Sequence, residues 1–378
     1  MVFDSRFDLG WVVKMGDPLL MIPGPSNPYP EAINEANSRF IPHYGEDFLK
    51  LYWETVDKLK KLFGTKSEVY LYPGQATSVA EMILNSILDK DDYIIFIGRG
   101  FFVDRFRRIA ELYGGKPVNI ASERIGSRVN VSELEYILKS ITPKAVFLVH
   151  SETSTGLLED IDSISSVIPD NTFFIVDAVS IFGAIEYKSD EWRIDACVGY
   201  SSKALGALPG VTPYMISEKL TNYILDRKSY KGFLNDLKTW IEYKDLWKHH
   251  PYPVSLSSPI ILSIKGAVDR VLDEGIKNVE YRHRKISKLS IEYASSIGIE
   301  KLPEDGFESP TVTVGLLDNN YDAKRIAEEL LKNYNIMIST TWLIGLNGLR
   351  IGHMGYNARE DYIEKTYRGI EEIIKSYK

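Results

Sequence analysis

A chain of 378 residues, 44% hydrophobic and 26% charged, is long enough to bury a large core and too apolar to be disordered. Its net charge of −7, with no basic tract, excludes a surface organised around nucleic acid or an anionic membrane. One cysteine, Cys197, excludes an internal disulfide framework and a CxxC metal site, and no metal is expected.

The start Met1-Val-Phe-Asp-Ser-Arg is too polar for a signal peptide. Apolar runs such as Leu19–Ile22 are far short of the roughly 20 residues that span a bilayer, so a cytoplasmic location is expected. One Gln (Gln75) and one Cys beside abundant Lys and Glu suggest a heat-adapted source.

In chain order, Glu68-Val-Tyr-Leu-Tyr reads as a strand that stops at Pro73-Gly74 and gives way to a helix. There Val79, Met82, Ile83 and Ile87 make one apolar stripe at i, i+3, i+4 and i+8. Strand Tyr93–Ile97, helix Asp104–Leu112, strand Pro117–Ile120 and helix Val131–Leu138 follow. Then come strand Ala145–His150, a short helix near Ile161–Val167, and strands Thr172–Asp177, Ala196–Tyr200 and Pro213–Ile216. Repeated β-α-β with near-continuous apolar strands predicts an α/β fold around a mostly parallel sheet. Beyond it the sequence predicts a long helical stretch from Pro259 to Ser295, strand Thr311–Gly315, helix Ala323–Tyr334, strand Leu349–Gly352 and helix Glu360–Ser376. The expected organisation is a large domain over 21–260 and a smaller C-terminal α+β domain over 261–378, with residues 1–20 packing on the small domain.

Ligands of open parallel sheets bind beyond the carboxyl ends of the strands. Four segments fall there: Gly74-Gln75-Ala76-Thr77, Ser151 to Gly156, Asp177-Ala178-Val179-Ser180 and Ser201-Ser202-Lys203. A lysine at a strand end among small residues can lose part of its hydration, which lowers its pKa and makes it nucleophilic; alone, it reads equally as a surface lysine. Asp177 is either a turn carboxylate or a buried anion that holds a protonated heterocycle nitrogen. Gly74–Thr77 opens a helix whose free N–H groups can bind a phosphate, though it matches neither GxGxxG nor a Walker loop. Cys197 reads as a small core hydrophobe.

Taken together, Tyr72-Pro-Gly-Gln-Ala-Thr77, His150-Ser-Glu-Thr-Ser-Thr-Gly156, Val176-Asp-Ala-Val-Ser180, Ser201-Ser-Lys-Ala-Leu205 and Leu349-Arg-Ile-Gly352, with Pro23-Gly-Pro-Ser-Asn27 before them, form an ordered set. In these motifs the chain resembles the class V aminotransferases, of fold-type I among pyridoxal-phosphate enzymes, and within them the alanine–glyoxylate / serine–pyruvate branch.

The resemblance implies pyridoxal 5′-phosphate joined to Lys203 as a Schiff base, with Lys203 also moving the substrate proton and Asp177 paired with the pyridinium nitrogen. It implies Val179 and Phe102 on the two ring faces, Phe102 standing where relatives often carry Trp or His. Thr153 would bond the phenolic oxygen, and Gly74, Gln75, Ala76 and Thr77 would cradle the phosphate, Ala76 replacing a frequent Gly. Ser202 stands where some relatives have Gln or His. Arg350 would bind the substrate carboxylate, with the backbone near Gly24 closing the pocket.

The resemblance also implies a homodimer with sites at the interface. There a Tyr-x-x-Thr-Pro-like segment of the partner completes the phosphate pocket. Tyr252-Pro-Val-Ser255-Leu-Ser257-Ser-Pro259 has longer spacing and leaves Tyr252, Ser255 and Ser257 all open. His43-Tyr44 is a further candidate for that contact. The expected reaction is ping-pong transfer from alanine or serine to glyoxylate or pyruvate. Two alternatives stand beside it: an aspartate-type donor held by Arg99 or Arg105, and a lyase of the cysteine desulfurase type.

Overall fold

The apolar runs Ala145–Val149 and Phe173–Asp177 are buried at every residue, as strands covered on both faces must be. In the computed structural model, which describes residues 17–377, they form the centre of a seven-stranded sheet. Its order is Glu68–Pro73, Val211–Ile216, Ala196–Val198, Phe173–Asp177, Ala145–Val149, Tyr93–Ile97, Lys116–Ile120. Val211–Ile216 is antiparallel to both neighbours; the other four pairings are parallel. The register sets Asp177 opposite Val149 on one side and Val198 on the other. Three segments that follow these strand ends therefore emerge side by side.

The stripe Val79, Met82, Ile83 and Ile87 is fully buried against this sheet's core. One helix starts earlier than its sequence suggests, at Phe101 rather than Asp104. The cause is tertiary: the buried Glu152 carboxylate accepts hydrogen bonds from the Phe102 and Val103 amides (3.0 and 3.3 Å), satisfying helix-start donors that no local side chain reaches. The expected long helix is two, Ser258–Glu274 and Ile276–Ser296, broken at Gly275.

A second, four-stranded antiparallel sheet runs Glu300–Lys301, Val312–Leu316, Gly348–Gly352, Ser339–Thr340. Helices Ala323–Tyr334 and Glu360–Ser376 bury Ile326, Leu330, Ile363, Tyr367 and Ile370 in its core. Leu19–Leu20 pairs in parallel with Ile336–Met337, and Met21 is buried in the same core; residues 1–16 of the expected N-terminal segment lie outside the described residues. Buried side chains of the first core continue to Val279 and those of the second resume at Ile286. We therefore propose the domain division within Ile276–Ser296 rather than at 260. Among the described residues no helix is long and apolar enough to cross a membrane.

The strand end at Gly352 presses on the incoming chain. Its N–H donates to the Met21 carbonyl (2.9 Å), and a Cβ there would fall 1.9 Å from the Ile22 carbonyl oxygen. Gly352→Ala must push backbone away from backbone, so we expect a loss of about 1–3 kcal/mol in urea unfolding. Measuring the unfolding midpoint checks this; an unchanged midpoint would show that the segment around Ile22 is not held there.

Candidate active site

Lys203 follows the strand Ala196–Val198 in a turn where Ser201 and Ser202 are buried, and its ammonium donates to the Pro23 carbonyl. The Pro23–Ser26 turn is fastened to this segment: Ser26 N–H reaches the Ser202 carbonyl (3.0 Å) and Ser26 Oγ the Lys203 carbonyl (2.8 Å). Gly24 lies between, at φ +97°, where a Cβ would be strained and would meet Lys203 Nζ at 2.2 Å, so a larger residue would displace the lysine end. Burial, then the nearby Arg350 charge, pull the Lys203 amine down to about 8, against the opposing pull of Asp177.

Asp177 ends its strand with a buried carboxylate that accepts the Val179 amide (2.8 Å). Burial pushes this acid up to about 7; the Val179 hydrogen bond and Lys203 oppose, and Glu152 reinforces the rise. Lys203, Asp177, Val179, Phe102 and Thr153 line one small pocket with Val149, Ser151 and Ser180. Five of the residues singled out from sequence are thus brought together from four segments.

Arg350 reaches the same place from the second sheet. Its Nε donates to the Thr340 carbonyl (2.8 Å), Nη2 to Ser339 Oγ (2.8 Å) and Nη1 to the Thr153 carbonyl (3.4 Å). Burial pulls its guanidinium down to about 10. The Gly74–Thr77 turn links a sheet-edge strand to helix Ala76–Ile87, which has no side-chain cap and no acidic residue in its first turn. Gln75 is exposed at the cap position; Thr77 is half-buried, and its hydroxyl accepts from Arg105 Nη1 (3.3 Å).

Tyr252 is buried within its own chain. Its ring is enclosed by Phe48 and Tyr52 of its own chain, and its hydroxyl donates to the His43 carbonyl (2.8 Å). Ser255 and Ser257 are exposed, with Ser255 Oγ 3.1 Å from His43 Nε2, and Tyr44 is exposed beside them.

Sequence reading gave no role to Glu152. Besides capping the helix that carries Phe102, it accepts the Ser154 amide (3.0 Å) and hydroxyl (2.7 Å) through its other oxygen. A lone acid inside Ser-Glu-Thr-Ser-Thr gives no signal of a partner fifty residues away. Ser26 was equally silent.

A buried amine and acid sharing a pocket beside an uncapped helix start, with an arginine from a second sheet, is a recognisable arrangement. The family described as aminotransferase class-V matches residues 27–358. The chain belongs to the class V aminotransferase family. Among its relatives, an aminotransferase of Methanocaldococcus jannaschii is 33% identical over 89% of this chain and 88% of its own. The serine–glyoxylate aminotransferase of Arabidopsis thaliana is 27% identical over 94% and 90%. The solved alanine–glyoxylate aminotransferase of a Nostoc species superposes with a TM-score of 0.88 at 25% identity, covering 99% of each chain.

The raised Asp177 has a stability consequence for this aminotransferase. A buried acid lifted from near 4 to about 7 stabilises the fold fully only below its unfolded pKa, and that contribution is lost as pH rises through about 7. In protein free of small ligands, Asp177→Asn should unfold a few degrees above the native chain at pH 8, with the gap narrowing toward pH 4.5. A gap that is constant with pH, measured by thermal unfolding, would contradict the assignment.

Proposed function

We propose that this chain is a pyridoxal-phosphate-dependent transaminase. It moves the amino group of a small amino acid, alanine or serine, to a small 2-oxo acid, glyoxylate or pyruvate, in two half-reactions at one pocket. The observation that carries this reading is the pairing of a buried amine at Lys203 with a buried carboxylate at Asp177 in the pocket that Phe102, Val179 and Thr153 complete. The names of relatives that act on glyoxylate with alanine or serine support the choice of substrates.

The residues fit the cofactor. A buried acid near neutrality calls for a cation beside it, and an uncapped helix start without an acid suits a phosphate. Pyridoxal phosphate, when bound, supplies an aldehyde that accepts the amino group and a ring that draws electrons from the substrate carbon. Lys203 would anchor that aldehyde and, once released, carry the proton from the substrate Cα. A pKa of about 8 leaves a useful fraction of free amine near neutral pH. Asp177 would hold the proton on the ring nitrogen, Val179 and Phe102 would flank the ring, Thr153 would donate to its oxygen, and Ala76 and Thr77 would hold the phosphate with Ser202 nearby. Arg350, with Nε and Nη2 fixed on Thr340 and Ser339, would present its fork to the substrate carboxylate.

Short substrates are favoured over aspartate. Arg99 is exposed and bonded to the Glu123 carbonyl (2.7 Å), and Arg105 donates to Thr77 at the helix start that suits a phosphate, so neither is set aside for a second substrate carboxylate. A desulfurase-type lyase is disfavoured because Cys197 is enclosed in a central strand and cannot visit the pocket. The working assembly is a homodimer in a reducing cytoplasm. Exposed Ser255 and Ser257, rather than the enclosed Tyr252, would face the partner's site.

Borohydride trapping of the cofactor-loaded protein should place a pyridoxyl adduct on the peptide containing Lys203, and Lys203→Ala should abolish both adduct and transfer. A panel of amino donors with glyoxylate and pyruvate should show alanine or serine best; turnover confined to dicarboxylic donors would overturn the substrate assignment. Arg350→Ala should raise KM for donor and acceptor about 10- to 100-fold while the cofactor stays bound, as expected for a lost charge-assisted pair. Unchanged KM values would remove Arg350 from the site.

A further inference from the structure

Helix Phe101–Leu112 carries three arginines, and they are treated differently. Arg107 pairs with Asp104 (3.1 Å) and Arg108 with Glu111 (3.4 Å), both near the surface. Arg105 has no carboxylate within ion-pair distance among the described residues. Its guanidinium lies over the rings of Phe101 (4.8 Å) and Phe102 (4.9 Å), which meet edge to face, and its Nη1 donates to Thr77 Oγ1. The side chain is half-buried; burial pulls its pKa below the ordinary value, and the more distant charges of Asp177 and Glu152 offset this only in part. An unpaired, partly desolvated guanidinium is costly unless an anion offsets it.

We propose that Arg105 is a cofactor-binding and positioning residue: it supplies the positive charge for the phosphate held at Ala76 and Thr77, and it locks Phe102 as the wall for the ring. This rests on the pyridoxal-phosphate reading above. The chemistry is specific. A hydroxyl that accepts a charge-assisted hydrogen bond keeps its own hydrogen for another acceptor and becomes a stronger donor. Arg105 on Thr77 Oγ1 thus turns the threonine O–H toward the anion that the helix start attracts. Its remaining N–H groups can reach a phosphate oxygen in the same approach. One side chain on the helix after strand Tyr93–Ile97 would thereby couple the phosphate and ring ends of the cofactor.

The test uses cofactor-free full-length protein, wild type, Arg105→Gln and Arg105→Lys, titrated with pyridoxal phosphate and with pyridoxal, which lacks the phosphate. Binding is read by absorbance and by thermal shift. Arg105→Gln should weaken pyridoxal phosphate about 10- to 100-fold, weaken pyridoxal measurably but several-fold less through the loosened Phe102, and lose most of the salt dependence of phosphate-ester binding; Arg105→Lys should recover part of it. Equal weakening of both compounds would make Arg105 a support for the ring wall alone and overturn the phosphate role. Unchanged affinity for both would overturn the proposal entirely. Should wild type bind neither compound, the cofactor reading falls, and inorganic phosphate decides this inference. Stabilisation of wild type but not of Arg105→Gln would keep Arg105 as a phosphate-binding residue without the cofactor, and no stabilisation overturns the inference.

Discussion

Two opposite charges are buried in one small pocket at the carboxyl end of a parallel sheet, and the surrounding structure follows from that constraint. Burial penalises each charge, which is why the Lys203 amine falls to about 8 and the Asp177 acid rises to about 7. Neither is abandoned: the ammonium has the Pro23 carbonyl and the carboxylate has the Val179 amide. Groups held near neutrality by desolvation are poised to change protonation state at modest cost, as proton-moving chemistry requires.

Keeping them there takes both sheets. The first aligns strand ends so that Asp177, Thr153 and Lys203 emerge together. The second delivers Arg350 through a strand braced by Ser339 and Thr340, and its end at Gly352 abuts the Ile22 backbone just before the Pro23–Ser26 turn that covers Lys203. Movement of one sheet against the other would therefore be felt at the lysine and the arginine at once.

The local charge also differs from that of the whole chain. A protein of net charge −7 concentrates Lys203, Arg350 and Arg105 around a pocket whose acids, Asp177 and Glu152, are both raised by burial. Three basic side chains against two acids make a local basic excess in an acidic molecule.

What the sequence determined by itself was the alternation of elements and the candidates for the reacting groups. Short apolar, aromatic and β-branched runs such as Phe173–Val176 read as two-sided strands, and the helices over 323–334 and 360–376 carry their period in the local pattern. Lys203, Asp177 and Arg350 stood out as candidates because their motifs are local and ordered along the chain. Tertiary structure decided what depends on residues distant in sequence: the early start of the Phe101 helix on Glu152, the enclosure of Tyr252 under Phe48 and Tyr52, the break at Gly275, and the placing of Arg105 against Thr77. Helical and strand periods are set by neighbours three or two residues away. A buried cap or a bridging guanidinium is set by whichever surface the fold brings opposite, and nothing in the local pattern encodes that surface.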